Sequence, residues 1–269
     1  MSHLKRIDYS RFDSVVNSKI HLFHESLDRW FPQNLVDIYI TGSIALDDFQ
    51  PDRSDIDFVC AREIPWDGDS HVRLQQMHTE IRHRQKKPAL DGLYLTYGDL
   101  QRLPEDVRTP FCSSGRFDPA RTIPADPVTW TYLNSSALIV RGRQGLSAAI
   151  SEEEMRAWCR KNIQKYWLRW ADRVEKDLWY SIYGLTRPAA AWGVAGISRL
   201  HATIFTGKII SKTASFSYAR QEFDHQWSPV IEEAESYRLN KETERRLYPL
   251  ERRRLLIGFV RNVAELCLD

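Results

Sequence analysis

The sequence predicts an α+β fold with two domains: an N-terminal domain built on a small mixed sheet flanked by helices, and a C-terminal α-helical bundle. In the first part of the chain, short β-branched runs alternate with turn residues. The second part is amphipathic at helical spacing and rich in tryptophan. Between them, residues 151–154 read Ser-Glu-Glu-Glu, the S-x-x-E form of a capping box that begins a helix. We therefore expect domains over residues 1–150 and 151–269.

The composition excludes several classes of protein. Of the 269 residues, 42% are hydrophobic and 28% are charged, so the chain can bury a substantial core. The formal charge of +2, which divides into −2 and +4 after Ile150, lacks the basic excess of a protein that coats nucleic acid. No run reaches the roughly eighteen apolar residues of a membrane helix. The four cysteines are scattered and predict no metal knuckle. We expect a cytoplasmic monomer without nucleic-acid or membrane partners.

The N-terminal domain alternates helices and strands. Helical spacing of Ile20, Phe23 and Leu27 predicts the first helix, and β-branched apolar runs predict the strands. The predicted elements are a helix over 8–30, strands over 36–41, 55–60 and 89–97, a helix carrying Leu74, Met77 and Ile81, and one strand or short helix within 129–140. Prolines and Ser113-Ser114-Gly115 predict a loop from Leu100 to about Pro127.

The C-terminal domain is predicted to consist of helices alone. The apolar positions of the first long helix keep mostly to steps of three and four residues, which predicts one face of a bundle helix with its tryptophans in the core. These positions are Met155, Trp158, Trp167, Trp170, Val174 and Leu178. Gly207 is expected to cap the end of one helix, and Ser211 or Thr213 to cap the beginning of the next. The predicted helices are a long one from Ser151, then Trp192 to Thr206, Thr213 to about Phe223, and about Lys241 to Leu266.

Two aspartates at the start of the second strand are the strongest chemical signal. Asp55 and Asp57 are two residues apart, so in a strand they lie on one face, about 6 to 7 Å apart along the backbone. Such carboxylates repel each other unless a cation lies between them, and oxygen ligands are those that Mg²⁺ accepts. A bare D-x-D pair can also be two turn residues, but here a strand and a Gly-Ser turn precede it.

The turn before these aspartates suits a phosphate. Gly42 lets the backbone approach an anion closely, and Ser43 offers both an amide and a hydroxyl. A helix that began near Ser43 would add its dipole. Ser54, immediately before Asp55, is grouped with Gly42 and Ser43 in this candidate phosphate site.

These residues resemble a known family. The strand, the Gly-Ser turn and D-x-D are similar to the nucleotidyltransferase superfamily that includes DNA polymerase β and the antibiotic adenylyltransferases. Further along, residues 192–201 (WGVAGISRLH), 206–212 (TGKIISK) and 223–233 resemble the C-terminal helical domain of the aminoglycoside 3″/9-adenylyltransferases. The resemblance extends from about Val36 to Arg238.

The resemblance implies roles for three further residues. Asp91, in Leu90-Asp91-Gly92, occupies the place of the third acidic residue, a general base with metal binding as its second role. Arg199 and Lys212 match residues that contact the nucleotide phosphates. Lys212 also has its own signal, because a lysine at the start of a helix opposes the dipole unless an anion binds there.

The expected activity is Mg²⁺-dependent transfer of AMP from ATP to a hydroxyl group, with release of pyrophosphate. Two Mg²⁺ ions are expected at Asp55, Asp57 and Asp91, and the helical domain is expected to close the nucleotide and substrate cleft. The family implies an aminoglycoside or aminocyclitol antibiotic as acceptor, and hence antibiotic resistance.

The sequence leaves the acceptor open. A polycationic drug requires acidic groups, yet residues 180–191 contain none. The acids could come from Asp172, Glu175 or Asp177, the drug could be a different one, or the acceptor could be a non-antibiotic metabolite or a protein side chain. A catalytically silent nucleotide-binding module is the alternative of a different class.

Overall fold

The fold is described from a computed structural model covering residues 4–33, 35–144, 146–242 and 246–269. The chain divides into two compact units, Met1–Ile150 and Ser151–Asp269. No helix in those ranges is both long and apolar enough to cross a membrane.

One mixed sheet forms the centre of the first unit. Its seven strands, as far as the chain is described, are ordered β1-β7-β2-β3-β4-β5-β6. The central pair, β3 and β4, is parallel, and β2 and β5 run antiparallel to it on either side. The strands are β1 (Lys5–Arg6), β2 (Asp37–Ile40), β3 (Ile56–Arg62), β4 (Leu90–Thr96), β5 (Arg108–Ser113), β6 (Arg116–Pro124) and β7 (Leu138–Arg141).

Helices cover the sheet on both faces. They are α1 (Ser14–Trp30), α2 (Gly42–Ala45), α3 (Gly68–Arg84) and α4 (Pro127–Ser135), with 3₁₀ turns at Tyr9–Arg11, Asp99–Gln101 and Pro104–Asp106. Alternate residues of β3 serve two cores: Ile56 and Phe58 pack with α1 and α3, and Val59 packs on the opposite face with Trp130 of α4. Asp57 shares the face of Val59.

The region predicted as a loop from Leu100 to Pro127 contains a β-hairpin, so that prediction is wrong. Ser114 and Gly115, with φ of 50° and 75°, form its two-residue turn. Its prolines are tolerated because β6 is the edge strand and Pro110 lies at a register irregularity between β5 and β6.

Helices make up the regular structure described in the second unit. They are α5 (Glu152–Asn162), a π turn (Ile163–Trp167), α6 (Leu168–Lys176), α7 (Leu178–Gly184), α8 (Arg187–Thr206), α9 (Lys212–Glu222), a 3₁₀ turn (His225–Trp227), α10 (Ser228–Leu239) and α11 (Pro249–Leu268). The capping box at Ser151 is present, and Gly207 ends α8 with φ of 70°. Ser211 is the N-cap of α9, accepting a hydrogen bond from Ala214 N.

The last helix begins later than predicted. Lys241 and Glu242 are not helical, and α11 starts at Pro249, whose fixed φ suits the first turn of a helix. Residues 243–245 of the predicted helix lie outside the described residues. Two tryptophans of the first long helix belong to the core as predicted: Trp167 and Trp170 are 5% exposed and pack against α8 at Gly196 and Gly193. Trp158, also predicted to lie in the core, is only partly buried.

Candidate active site

The parallel pairing of β3 and β4 brings the aspartates of the first unit to one end of the sheet. Asp57 and Asp91 are the second residues of their strands and are direct partners in the ladder. Neighbouring strands are about 4.8 Å apart, so these side chains project side by side. Asp55, two residues before Asp57, is close enough for its charge to act on Asp91. Carboxylates distant in sequence therefore meet at one end of the central strands β3 and β4.

Gly42 packs directly against Asp57. Its φ is +61°, and a Cβ added there would lie 1.8 Å from Asp57 Oδ2. The backbone N–H of Thr41 also donates to Asp57 O at 2.9 Å. The glycine is thus required twice, by its backbone conformation and by the space that the carboxylate occupies.

Ser43 leaves a hydroxyl in this turn unused. Its Oγ is buried and has no hydrogen-bond partner among the described residues. A buried hydroxyl without a partner costs free energy, which a ligand oxygen would recover. The helix that begins at Gly42 has only four residues, too few for a substantial dipole.

Ser54 shapes the loop between the turn and the aspartates. Its Oγ accepts a hydrogen bond from Gln50 N at 3.0 Å, and its N–H donates to Gln50 O at 2.8 Å. These bonds fix the chain immediately before Asp55. Contact between Ser54 and a nucleotide stays a prediction.

Asp91 lies in a partly buried position that the β5–β6 hairpin completes. Burial raises the pKa of its carboxyl group, and the charge of Asp55 raises it further, whereas hydrogen bonds from Ser114 N and Ser113 Oγ lower it. Both donors contact Asp91 Oδ2, at 3.4 and 3.3 Å. A carboxyl group with a raised pKa is better suited to accept a proton than one in water.

Lys87 is a neighbour of Asp55 that the sequence analysis did not identify. Its Nζ lies 3.8 Å from Asp55 Oδ1, with the lysine side chain 70% exposed and the aspartate 34%. An exposed pair at this distance contributes little to stability. The lysine nevertheless reduces the negative charge at this edge, and a mobile side chain can leave when another cation binds.

The donor set fits Mg²⁺ in part. Within the described ranges, no three histidine, cysteine, aspartate or glutamate side chains form a complete metal site. Mg²⁺ commonly takes one or two carboxylates and fills its other positions with water and phosphate oxygens. Asp55 and Asp57 suit that arrangement, and Asp91 as a metal ligand stays a prediction.

In the second unit, the two predicted phosphate contacts lie near one helix start. Arg199 on α8 donates from Nε to Ile210 O at 2.8 Å, two residues before Lys212. Lys212 is the first residue of α9 and is exposed. The guanidinium group therefore lies beside the segment that leads into α9.

The α+β fold, with a mixed sheet flanked by helices in the first unit and helices in the second, confirms the predicted fold class. It is similar to the solved structure of the spectinomycin adenyltransferase AAD(9) from Enterococcus faecialis with ATP and spectinomycin. The TM-score is 0.66 at 16% sequence identity, over 93% of this chain and 99% of that chain. No family model matches the sequence, and no curated protein matches it significantly. The predicted resemblance to the aminoglycoside adenylyltransferases is thus confirmed as a resemblance of fold.

Proposed function

We propose that this protein transfers AMP from ATP to a hydroxyl group of a small acceptor and releases pyrophosphate. The proposal rests on one observation: Asp55, Asp57 and Asp91 lie together at one end of the central strands β3 and β4, against the Gly42-Ser43 turn. The solved relative with this fold is named an adenyltransferase and was crystallised with ATP.

In the proposed reaction, the acceptor oxygen forms a bond to the α-phosphorus of ATP. The bond from that phosphorus to the bridging oxygen breaks, and pyrophosphate leaves with the electron pair. The hydroxyl proton passes to a carboxylate oxygen of Asp91 and then to solvent. Ser113 and Ser114 orient that carboxylate through their hydrogen bonds to Oδ2.

Asp55 and Asp57 are proposed to hold Mg²⁺. Two ions held by these carboxylates would supply positive charge that balances the charge developing on the triphosphate and makes the acceptor hydroxyl more acidic. Gly42 leaves room for this, because its missing Cβ lets the turn lie against Asp57. The Ser43 hydroxyl and amide are proposed to bind a phosphate oxygen.

Arg199 and Lys212 are proposed to bind the triphosphate from the second unit. Their positive charge would balance the charge on the leaving pyrophosphate. Since the carboxylates belong to the first unit, one ATP molecule would contact both units when bound, and catalysis would require them to close on it.

The test is loss of transfer without loss of fold. We expect Asp55→Asn and Asp57→Asn each to lower the rate of adenylyl transfer by about a thousandfold or more, with little change in melting temperature. Asp52→Asn is the matched control: the same change at an exposed residue of the adjoining loop. Near-normal turnover of either site variant would refute the assignment.

The acceptor is identified by incubating the protein with ATP, Mg²⁺ and candidate hydroxyl compounds, then searching by mass spectrometry for an added AMP. A panel of aminocyclitols tests the antibiotic hypothesis. Modification of other metabolites or of protein side chains would support the alternative acceptor. ATP binding without modification of any of these would favour a silent nucleotide-binding module.

A further inference from the structure

A cavity of about 700 Å³ in the second unit is lined by a row of cations. Lys165, Arg169 and Arg173 follow one another at steps of four residues along the π turn and α6, and all three are exposed. Residues at this spacing lie on one face of a helix. The cavity is within the usual size range of pockets for small ligands.

The positive charge of this wall is not balanced by acids. No aspartate or glutamate lines the cavity, and neither Lys165 nor Arg169 has a carboxylate partner in the described part of the chain. Arg173 instead stacks over the ring of Tyr180, with its guanidinium carbon 3.7 Å from the ring centroid. The cavity therefore attracts anions and repels polycations.

The acids near the cavity are engaged elsewhere. Asp172 and Glu175 both bind Arg261, with oxygen–nitrogen distances of 2.7 and 2.8 Å. Asp177 caps α7 by accepting hydrogen bonds from the amides of Trp179 and Tyr180. These are the three residues that the sequence offered as ligands for a cationic drug, and each has a structural partner.

Aromatic side chains form the rest of the cavity wall. Tyr166, Tyr183 and Trp192 line it and remain 42%, 38% and 45% exposed. Rings of this size are costly to leave in water, and their flat faces suit a planar ligand. Aromatic faces beside guanidinium groups accommodate a conjugated anion, which stacks and is neutralised in the same place.

The cavity is also well placed relative to the proposed triphosphate site. Trp192 and Arg199 are seven residues apart on α8, two turns of the helix and therefore one face. Their backbone separation is about 10 Å at 1.5 Å per residue. A ligand at Trp192 would thus lie within the length of one nucleotide from phosphates held by Arg199.

We propose that this cavity binds a planar anion, an aromatic or conjugated carboxylate or phosphate, and that such a hydroxylated anion is the AMP acceptor. The assignment of this anion as the AMP acceptor rests on the proposed function. The acceptor class then differs from the polycationic aminoglycosides, because the cavity offers three cations where such a drug requires acids.

Binding is tested by calorimetry without ATP, using 2-naphthoate as the anionic probe. The matched cation is 2-naphthylmethylammonium, and streptomycin represents the polycations. We expect saturable binding of 2-naphthoate only, weakened about tenfold or more in Arg169→Gln and in Trp192→Leu. Lys176→Gln is the control, since it removes one charge from the same helix outside the cavity and should leave the affinity unchanged.

Four results would overturn the binding site: no saturable binding of 2-naphthoate, equal binding of the naphthyl cation, tighter binding of streptomycin, or equal weakening by Lys176→Gln. The last would indicate a general charge effect.

The hypothesis that a hydroxylated planar anion accepts AMP is tested with 6-hydroxy-2-naphthoate, ATP and Mg²⁺, by searching for its AMP ester. The hypothesis is supported if the wild type forms the ester and Asp57→Asn does not, while 2-naphthoate still binds to that variant. Modification of an aminocyclitol without binding of 2-naphthoate overturns this inference and leaves the proposed function intact. If 2-naphthoate binds but the protein transfers AMP to none of the compounds tested, the anion site is supported. The hypothesis about the acceptor and the proposed function are then both refuted.

Discussion

Gly42 is the residue at which a single added methyl group should impair both folding and catalysis. Gly42→Ala would place Cβ 1.8 Å from Asp57 Oδ2 at a φ of +61°. We expect it to destabilise the protein by about 1 to 3 kcal/mol and to abolish most adenylyl transfer, because the turn or the carboxylate must move. Urea unfolding and the transfer rate are measured on the same sample.

Gly68→Ala is the matched control for this prediction. Gly68 begins α3, has no atoms within 4 Å of a built Cβ, and should tolerate alanine or gain slightly from it. If Gly42→Ala retained wild-type transfer, the proposed role of the turn beside Asp57 would be wrong.

At this scale, the sequence predicted the residues of a local motif, and the family resemblance added Asp91, but two other neighbours from distant segments were missed. Gly42, Asp55 and Asp57 lie within sixteen consecutive positions whose spacing itself indicates a metal and phosphate site. Lys87 and Ser113 reach the same edge only because α3 ends near it and β5 pairs with β4. Local periodicity contains neither fact, although the Ser-Gly turn at 114–115 was a usable hairpin signal.

At the scale of elements, the strands themselves were easier to predict than the order in which they pair in the sheet. The strand predicted over 89–97 corresponds to β4 at Leu90–Thr96, whose run Leu93-Tyr94-Leu95 has the apolar pattern typical of a buried strand. The β5–β6 hairpin was missed because its prolines suggested a loop, which is a correct inference for a central strand and a wrong one for an edge strand. Sheet order decides between these, and only the folded chain provides it.

The packing of α3 on the sheet predicts a response to acid. His78 of α3 is fully buried, with its ring nitrogens against the Tyr94 hydroxyl and Cys112 Sγ. Burial lowers the pKa of His78 to about 3, and the charge of Lys19 acts in the same direction. The folded state therefore binds fewer protons than the unfolded state, whose histidine titrates near 6.5. Its contribution to stability is complete above about pH 6.5 and is lost as the pH falls towards 3.

From pH 7 to pH 5, this histidine should account for a loss of about 2 kcal/mol in the free energy of unfolding. We expect His78→Gln to show a correspondingly shallower dependence on pH, whatever its stability at pH 7. His83→Gln, an exposed change on the same helix, should retain the wild-type slope. Parallel curves for His78→Gln and wild type, from urea unfolding at each pH, would contradict the assignment.

At the scale of the whole molecule, the fold was predictable because two kinds of pattern meet near residue 150. A sheet with helices precedes the capping box at Ser151, and helices follow it, as composition and periodicity indicate. The site is less predictable, because the two sets of residues assigned to ATP are carried by different units. The proposal that both units bind the same ATP molecule is tested by measuring the affinity for ATP in a variant of the second unit.

Arg199→Gln provides that measurement. Glutamine can still donate a hydrogen bond towards Ile210 O but carries no charge, so the local structure of α8 should persist while the attraction for a triphosphate is lost. We expect the Kd for ATP with Mg²⁺ to rise about tenfold or more, and the difference from wild type to narrow at high salt. Arg254→Gln, at an exposed position of α11, should bind ATP as the wild type does. An unchanged Kd for Arg199→Gln would assign the nucleotide to the first unit alone, and the seven-residue spacing from Trp192 would then no longer connect the cavity to the triphosphate.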